Sequence, residues 1–126
     1  MRYVLAVKQA VYGTQGAFLA YQLAQTLIQS GHEISQVFFF QSGVSNGNGF
    51  VHPASDEFHL QKAWQQLAQQ HHIPLHLCIA AAQRRGVVDA PSAVDLQQHN
   101  LAQGFVLAGL GEFSAAVLQA DRVLTL

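Results

Sequence analysis

A chain of 126 residues with one cysteine, six Lys and Arg, seven Asp and Glu and a net charge of −1 is sized for one domain, spanning residues 1–126, that buries a core without disulfides or structural metal. Only 10% of residues are charged and 50% are hydrophobic, against about a quarter charged in ordinary soluble domains. That balance excludes the basic stripe a direct nucleic-acid binder needs and leaves a lone monomer short of a charged coat, so association with other subunits is expected. The single cysteine forms no intrachain disulfide and suits a reducing cytoplasm; the apolar start is too short for a signal peptide, and no stretch approaches the roughly 20 apolar residues of a membrane span.

Arg2 to Val7 reads as a first strand, followed by a loop from Lys8 to Gly16 that can present backbone N–H groups. Gly13 and Gly16 make neither G-x-G-x-x-G nor a Walker loop, and no acidic ribose partner stands about twenty residues on, which argues against nucleotide or flavin binding. From Ala17 to Gln29, Phe18, Leu19, Tyr21, Leu23, Ala24, Leu27 and Ile28 recur near helical spacing, and Ser30-Gly31 supplies the stop. Ile34 to Phe40 is apolar nearly throughout after Gln36, the pattern of a parallel strand covered on both faces.

Gln41 to Phe50, rich in Gly and Asn, is expected to be a mobile surface loop at the carboxyl edge of the sheet, where such folds bind ligands. Within it, Gly43-Val44-Ser45-Asn46-Gly47 matches the G-x-S-x-G pattern of serine hydrolases. That motif needs a helix directly after the serine, and Asn48, Gly49 and Pro53 oppose one. Ser55, followed by Asp56 and Glu57, is a good N-cap for a helix running to about Gln70, with Phe58, Leu60, Ala63, Trp64 and Leu67 as its apolar face.

The next stretch, Pro74 to Gly86, carries the only cysteine. A β-run entered through Pro74 and followed at once by good helix formers puts Cys78 at the strand's carboxyl end, beside the amino end of a helix, where a thiolate is favoured. Arg84 and Arg85 add positive charge two turns away, as a minor contribution. The opposing reading is a small buried hydrophobe, since free cysteines are among the most buried residue types. His71, His72 and His76 with Cys78 match no standard zinc spacing, and His71 and His72 precede the strand at its opposite edge, so solvated loop histidines are the better reading and no metal is expected. Val87 to Ser92 reads as a loop and Ala93 to Asn100 as weakly helical. Phe105 to Leu107 is a short strand, Glu112 to Gln119 a helix and Asp121 to Leu126 a final strand. The alternation predicts a three-layer α/β/α fold around a mainly parallel, doubly wound sheet of about five strands.

The ordered blocks Tyr12-Gly13-Thr14-Gln15, Val37 to Phe40 with Gly43-Val44, Pro53 to Phe58, Ala63 to Leu67, Cys78 to Ala82 with Arg84 to Asp89, and Gly109-Leu110-Gly111 with Asp121-Arg122-Val123 resemble the DsrE/TusD-like sulfur-relay family over nearly the whole chain. Lys8 departs from the pattern, where a small or neutral residue is expected. The resemblance implies a sulfurtransferase in which Cys78 accepts sulfane sulfur as a persulfide from a TusA-like donor and passes it to a TusE-like acceptor, towards 2-thiouridine at the tRNA wobble position. It implies no cofactor. It also implies TusB-like and TusC-like partner subunits in a heterohexamer. A carried persulfide needs cover from stray thiols, and the Ser42 to Phe50 segment is the candidate to supply it. Two alternatives stay open within the family: a subunit of a sulfur-oxidation relay, and a non-catalytic scaffold subunit.

Overall fold

The computed structural model describes residues 1–93 and 98–126. Its elements, in chain order, are β1 (Arg2–Val7), α1 (Gly16–Gln29), β2 (Glu33–Phe39), a 3-10 segment (Gln41–Gly47), α2 (Leu60–His71), β3 (Leu75–Cys78), α3 (Ile79–Arg84), a 3-10 turn (Pro91–Ala93), β4 (Phe105–Ala108), α4 (Leu110–Gln119) and β5 (Arg122–Thr125). The five strands form one sheet in the order β4-β3-β2-β1-β5, and every pairing is parallel. This is the expected α/β architecture.

Strand order places the helices. Steps from β1 to β2 to β3 move in one direction across the sheet, and right-handed crossovers then put α1 and α2 on the same face. The return from β4 to β5, on the far side of β1, puts α4 on the opposite face, where it contacts β1 and β2. Successive strand residues alternate between these faces. Leu5, Val7, Val37, Phe39, Leu75, Leu77 and Phe105 join the core under α1 and α2, whereas Val4, Ala6, Phe38 and Ala108 are buried outside that cluster. Burial on both sides is why the central strands read as continuous apolar runs. Trp64 of α2, fully buried, anchors the first face by meeting Phe39 and Tyr21 edge-on, at centroid distances of 5.4 and 5.5 Å.

The 41–50 segment is not the loose loop its composition suggests. Its glycines serve close packing: a Cβ on Gly43 would collide with the Val7 carbonyl oxygen, and one on Gly47 would lie 2.5 Å from Leu77 Cδ1. Asn46, also fully buried, donates through Nδ2 to the carbonyls of Gly43 and Gln9. Gln61 of α2 donates to the carbonyls of Asn46 and Asn48, and Asn100 donates to Asn48 Oδ1 at 3.0 Å. These amide donors tie the segment in place, with Asn46 Oδ1 alone left buried without a partner among them.

Helix α2 starts later than its Ser55 cap signal implies. His59 is the N-cap, its Nδ1 accepting from Lys62 N–H, and Phe58 stays exposed, packed edge-on against Phe18. The helical character expected at 93–100 falls mainly on 94–97, outside the described residues; Pro91–Ala93 form a single 3-10 turn.

Candidate active site

Because Leu75 and Leu77 point into the core, the alternate residue His76 faces the α4 side of the sheet, and Cys78, at the strand's end, touches the core cluster and also lines a cleft on the α4 side. Cys78 ends β3, in register with Ala108 of β4, and is the N-cap of α3 without using its side chain as a cap. Small residues allow this abrupt strand-to-helix change, and Ala81 and Ala82 of α3 are buried. The thiol is partly buried and lines a cleft of about 490 Å³.

Ala6, Phe38 and Phe40 contribute the cleft's strand side, and Leu110 and Phe113 of α4 face them. Phe113 stacks on Phe38 at a centroid distance of 4.3 Å and 24° between planes, which fixes the start of α4 over the sheet. Arg84 and Arg85 line the same cleft. With α3 only six residues long, the chain turns before its arginines can leave the site, and Arg85 Nη1 donates to the Ala81 carbonyl at 3.3 Å. No acidic side chain lines the cleft among the described residues. Two guanidinium groups in this otherwise apolar cleft offer positive charge to an anionic ligand, against the desolvation cost that the apolar lining imposes. Of the 41–50 segment only Gln41 reaches it, so the expected cover from residues 42–50 is absent from this cleft.

The three histidines separate in the fold. His71 ends α2 and His72 is its left-handed C-cap, φ 55°, at the edge away from Cys78. His76 is not a loop residue: it lies within β3, with its side chain 14% exposed and its Nδ1 3.8 Å from Glu112 Oε2 of α4. Burial pushes its pKa below the ordinary histidine value, and the Glu112 carboxylate offsets part of that shift. The alternation Leu75-His76-Leu77-Cys78 was the available signal for this placement. Ser45, in the G-x-S-x-G match, accepts from Val11 N–H at 2.9 Å and donates to the Ser42 carbonyl, a structural tie between the first loop and the 3-10 segment. Among the described residues no group of His, Cys, Asp and Glu is placed to hold a metal ion, and no helix is long and apolar enough to cross a membrane.

The cleft side of the molecule is poorly covered. No residue of α4 is fully buried, Leu118 is 86% exposed, and Leu110, Val106 and Val123 are also exposed.

Fold and site together define an open parallel α/β protein whose one thiol sits at the carboxyl edge of the sheet, the edge where such folds hold their ligands. The chain belongs to the DsrE/DsrF-like family, whose family model matches residues 1–126. It is 67% identical to a protein of Pasteurella multocida and 63% identical to one of Haemophilus influenzae, each named "Sulfurtransferase TusD homolog", over 100% of both chains in each case. Among solved structures it resembles the ychN protein of E. coli, with a TM-score of 0.78 at 23% identity over 100% of both chains, a likeness of fold.

Proposed function

We propose that this chain is the sulfur-carrying subunit of a relay, a sulfurtransferase that holds sulfane sulfur as a persulfide on Cys78. The observation that supports this best is the placement of the only thiol, in an apolar cleft bearing two arginines at the sheet's carboxyl edge. The sulfurtransferase names of relatives matching the full chain point the same way. In the transfer, the Cys78 thiolate attacks the outer sulfur of a donor persulfide. The donor's S–S bond breaks as the Cys78 S–S bond forms, and the donor leaves as a thiolate. An acceptor thiolate then attacks the outer sulfur on Cys78, which leaves as a thiolate in turn. Neither step needs a cofactor or an external oxidant.

The donor in this reading is a TusA-like protein, the acceptor a TusE-like protein, and the destination 2-thiouridine at the tRNA wobble position in the cytoplasm. TusB-like and TusC-like subunits complete a heterohexamer, and the exposed apolar surface around α4 supports such permanent partners, since obligate interfaces are large and apolar. With net charge −1, the chain serves tRNA through protein partners without binding it. Intact mass after incubation with a persulfide donor tests the proposal. The wild-type chain gains one sulfur atom's mass, lost on reduction, and Cys78→Ser gains none. Labile sulfur on Cys78→Ser would move the site elsewhere, and a wild type that never loads would leave a scaffold subunit.

A further inference from the structure

We infer that His76, backed by Glu112, is the general base that takes the proton from the Cys78 thiol and returns it to the departing thiolate, an inference that rests on the relay reading above. His76 and Cys78 share one face of β3 with one residue between them, so their Cα atoms are about 6.6 Å apart. Neither His76 nor Glu112 lines the cleft at Cys78, so in this inference the proton passes between imidazole and sulfur through a bridging water.

The two ring nitrogens of His76 are in different settings. Nδ1 is buried without a hydrogen-bond partner, at 3.8 Å from Glu112 Oε2, too far for a hydrogen bond and an ion pair only once the ring is protonated. Such an orphaned atom calls for an explanation. A carboxylate there favours the tautomer with the proton on Nδ1, which leaves the Nε2 lone pair free to accept. Nε2 is not among the buried unpartnered atoms. Nucleophile, base and orienting carboxylate thus follow the general order of an activated thiol. The carboxylate is set by packing: Glu112 precedes Phe113, which stacks on Phe38, and Phe38 is the β2 register partner of His76.

Charge balance agrees with this assignment. Burial keeps the ring neutral at neutral pH and so able to accept a proton. Arg84 and Arg85 line the Cys78 cleft from the α3 side, while Phe38 of β2 and Val106 of β4 stand beside His76 in register, neither of them titratable. The step balances: Cys78 S–H gives its proton to the bridging water, which passes one to Nε2, the thiolate forms its S–S bond to the donor's outer sulfur, and the donor's S–S bond breaks. The departing thiolate takes the proton back from the imidazolium, which Glu112 has stabilised meanwhile.

The test is the pH profile of Cys78 alkylation by iodoacetamide on the full chain, run beside sulfur loading by intact mass. His76→Gln should slow alkylation at neutral pH by about tenfold, the low end of general-base effects reduced further by the bridging water, and should flatten the limb that follows the imidazole. Glu112→Gln, at an exposed carboxylate, should slow it by about threefold by the same logic. An unchanged profile in folded His76→Gln overturns the inference; should that variant fail to fold by circular dichroism, an unchanged Glu112→Gln profile overturns it instead. Failure of the wild type to load sulfur is a separate result, and it sinks the relay reading.

Discussion

The two faces of the sheet are built to different standards. Under α1 and α2, Leu5, Val7, Phe39, Trp64 and Leu77 are all at or near zero exposure, and the polar groups beneath the 3-10 segment are tied by Asn46 and Gln61. Under α4, one aromatic stack links the sheet to a helix without a single buried residue; buried polar atoms without a partner occur on both faces, Gln36 Oε1 and His76 Nδ1 here, Asn46 Oδ1 and Trp64 Nε1 on the packed side. The stable face carries the fold. The open face carries the thiol, and a surface finished so incompletely is one that other molecules complete. Stability and reactivity are thus assigned to opposite sides of the same strands, residue by alternate residue.

The contrast is broken most directly from the packed side. Trp64→Ala should cost about 3–5 kcal/mol of unfolding free energy in urea titration, the range for truncating a buried aromatic; a loss below about 1 kcal/mol would mean this face is not the stabilising one. The 3-10 segment gives the next effect. Gly43→Ala forces a methyl group onto the Val7 carbonyl and should cost about 1–3 kcal/mol. Gly109→Ala meets no atom within 4 Å and should leave the unfolding midpoint almost unmoved. Equal costs at the two sites would refute the close-packing role given to Gly43.

Acid acts on the open side. His76 binds its proton less readily in the native chain than in the unfolded one, because burial opposes the charged form. As pH falls below the ordinary histidine value of 6.5, the unfolded state takes up the proton first, and native stability declines. His76→Gln removes that contribution, so its melting temperature should drop less than the wild type's between about pH 7 and pH 5. Parallel curves for the two proteins would exclude His76 as a source of acid sensitivity. The smallest stability effect belongs to Leu118→Ser, where the side chain is 86% exposed. Unfolding free energy should change by no more than about 0.5 kcal/mol, while self-association in sizing experiments should fall. A large loss of stability would show that α4 packs more tightly than its exposure indicates.

Much of this design is legible in the chain itself. Phe38 and Phe39 adjoin in a run too apolar for a one-sided strand, and that alone signals a parallel sheet covered on both faces. The change from Leu75-His76-Leu77 to Ala80-Ala81-Ala82 marks where a strand stops and a helix starts, which puts Cys78 at an edge. The glycines between Gln41 and Phe50 misled, because composition reports conformational freedom and cannot report how close Val7 and Leu77 approach. The start of α2 misled for a similar reason: Ser55 has the chemistry of a cap, but the helix begins where Leu60 can reach the core.

What the amino-acid sequence by itself determined is therefore what depends on neighbours along the chain: the period of each element, the face each side chain takes, and the thiol at a strand's end. Only the tertiary structure decided what lies across from that thiol. Glu112 reaches His76, and Phe113 reaches Phe38, because the chain crosses from β4 past three strands to β5 and lays α4 over the opposite face on the way. Periodicity is a property of adjacent residues, whereas the direction of a crossover is set by how the whole sheet buries its two sides.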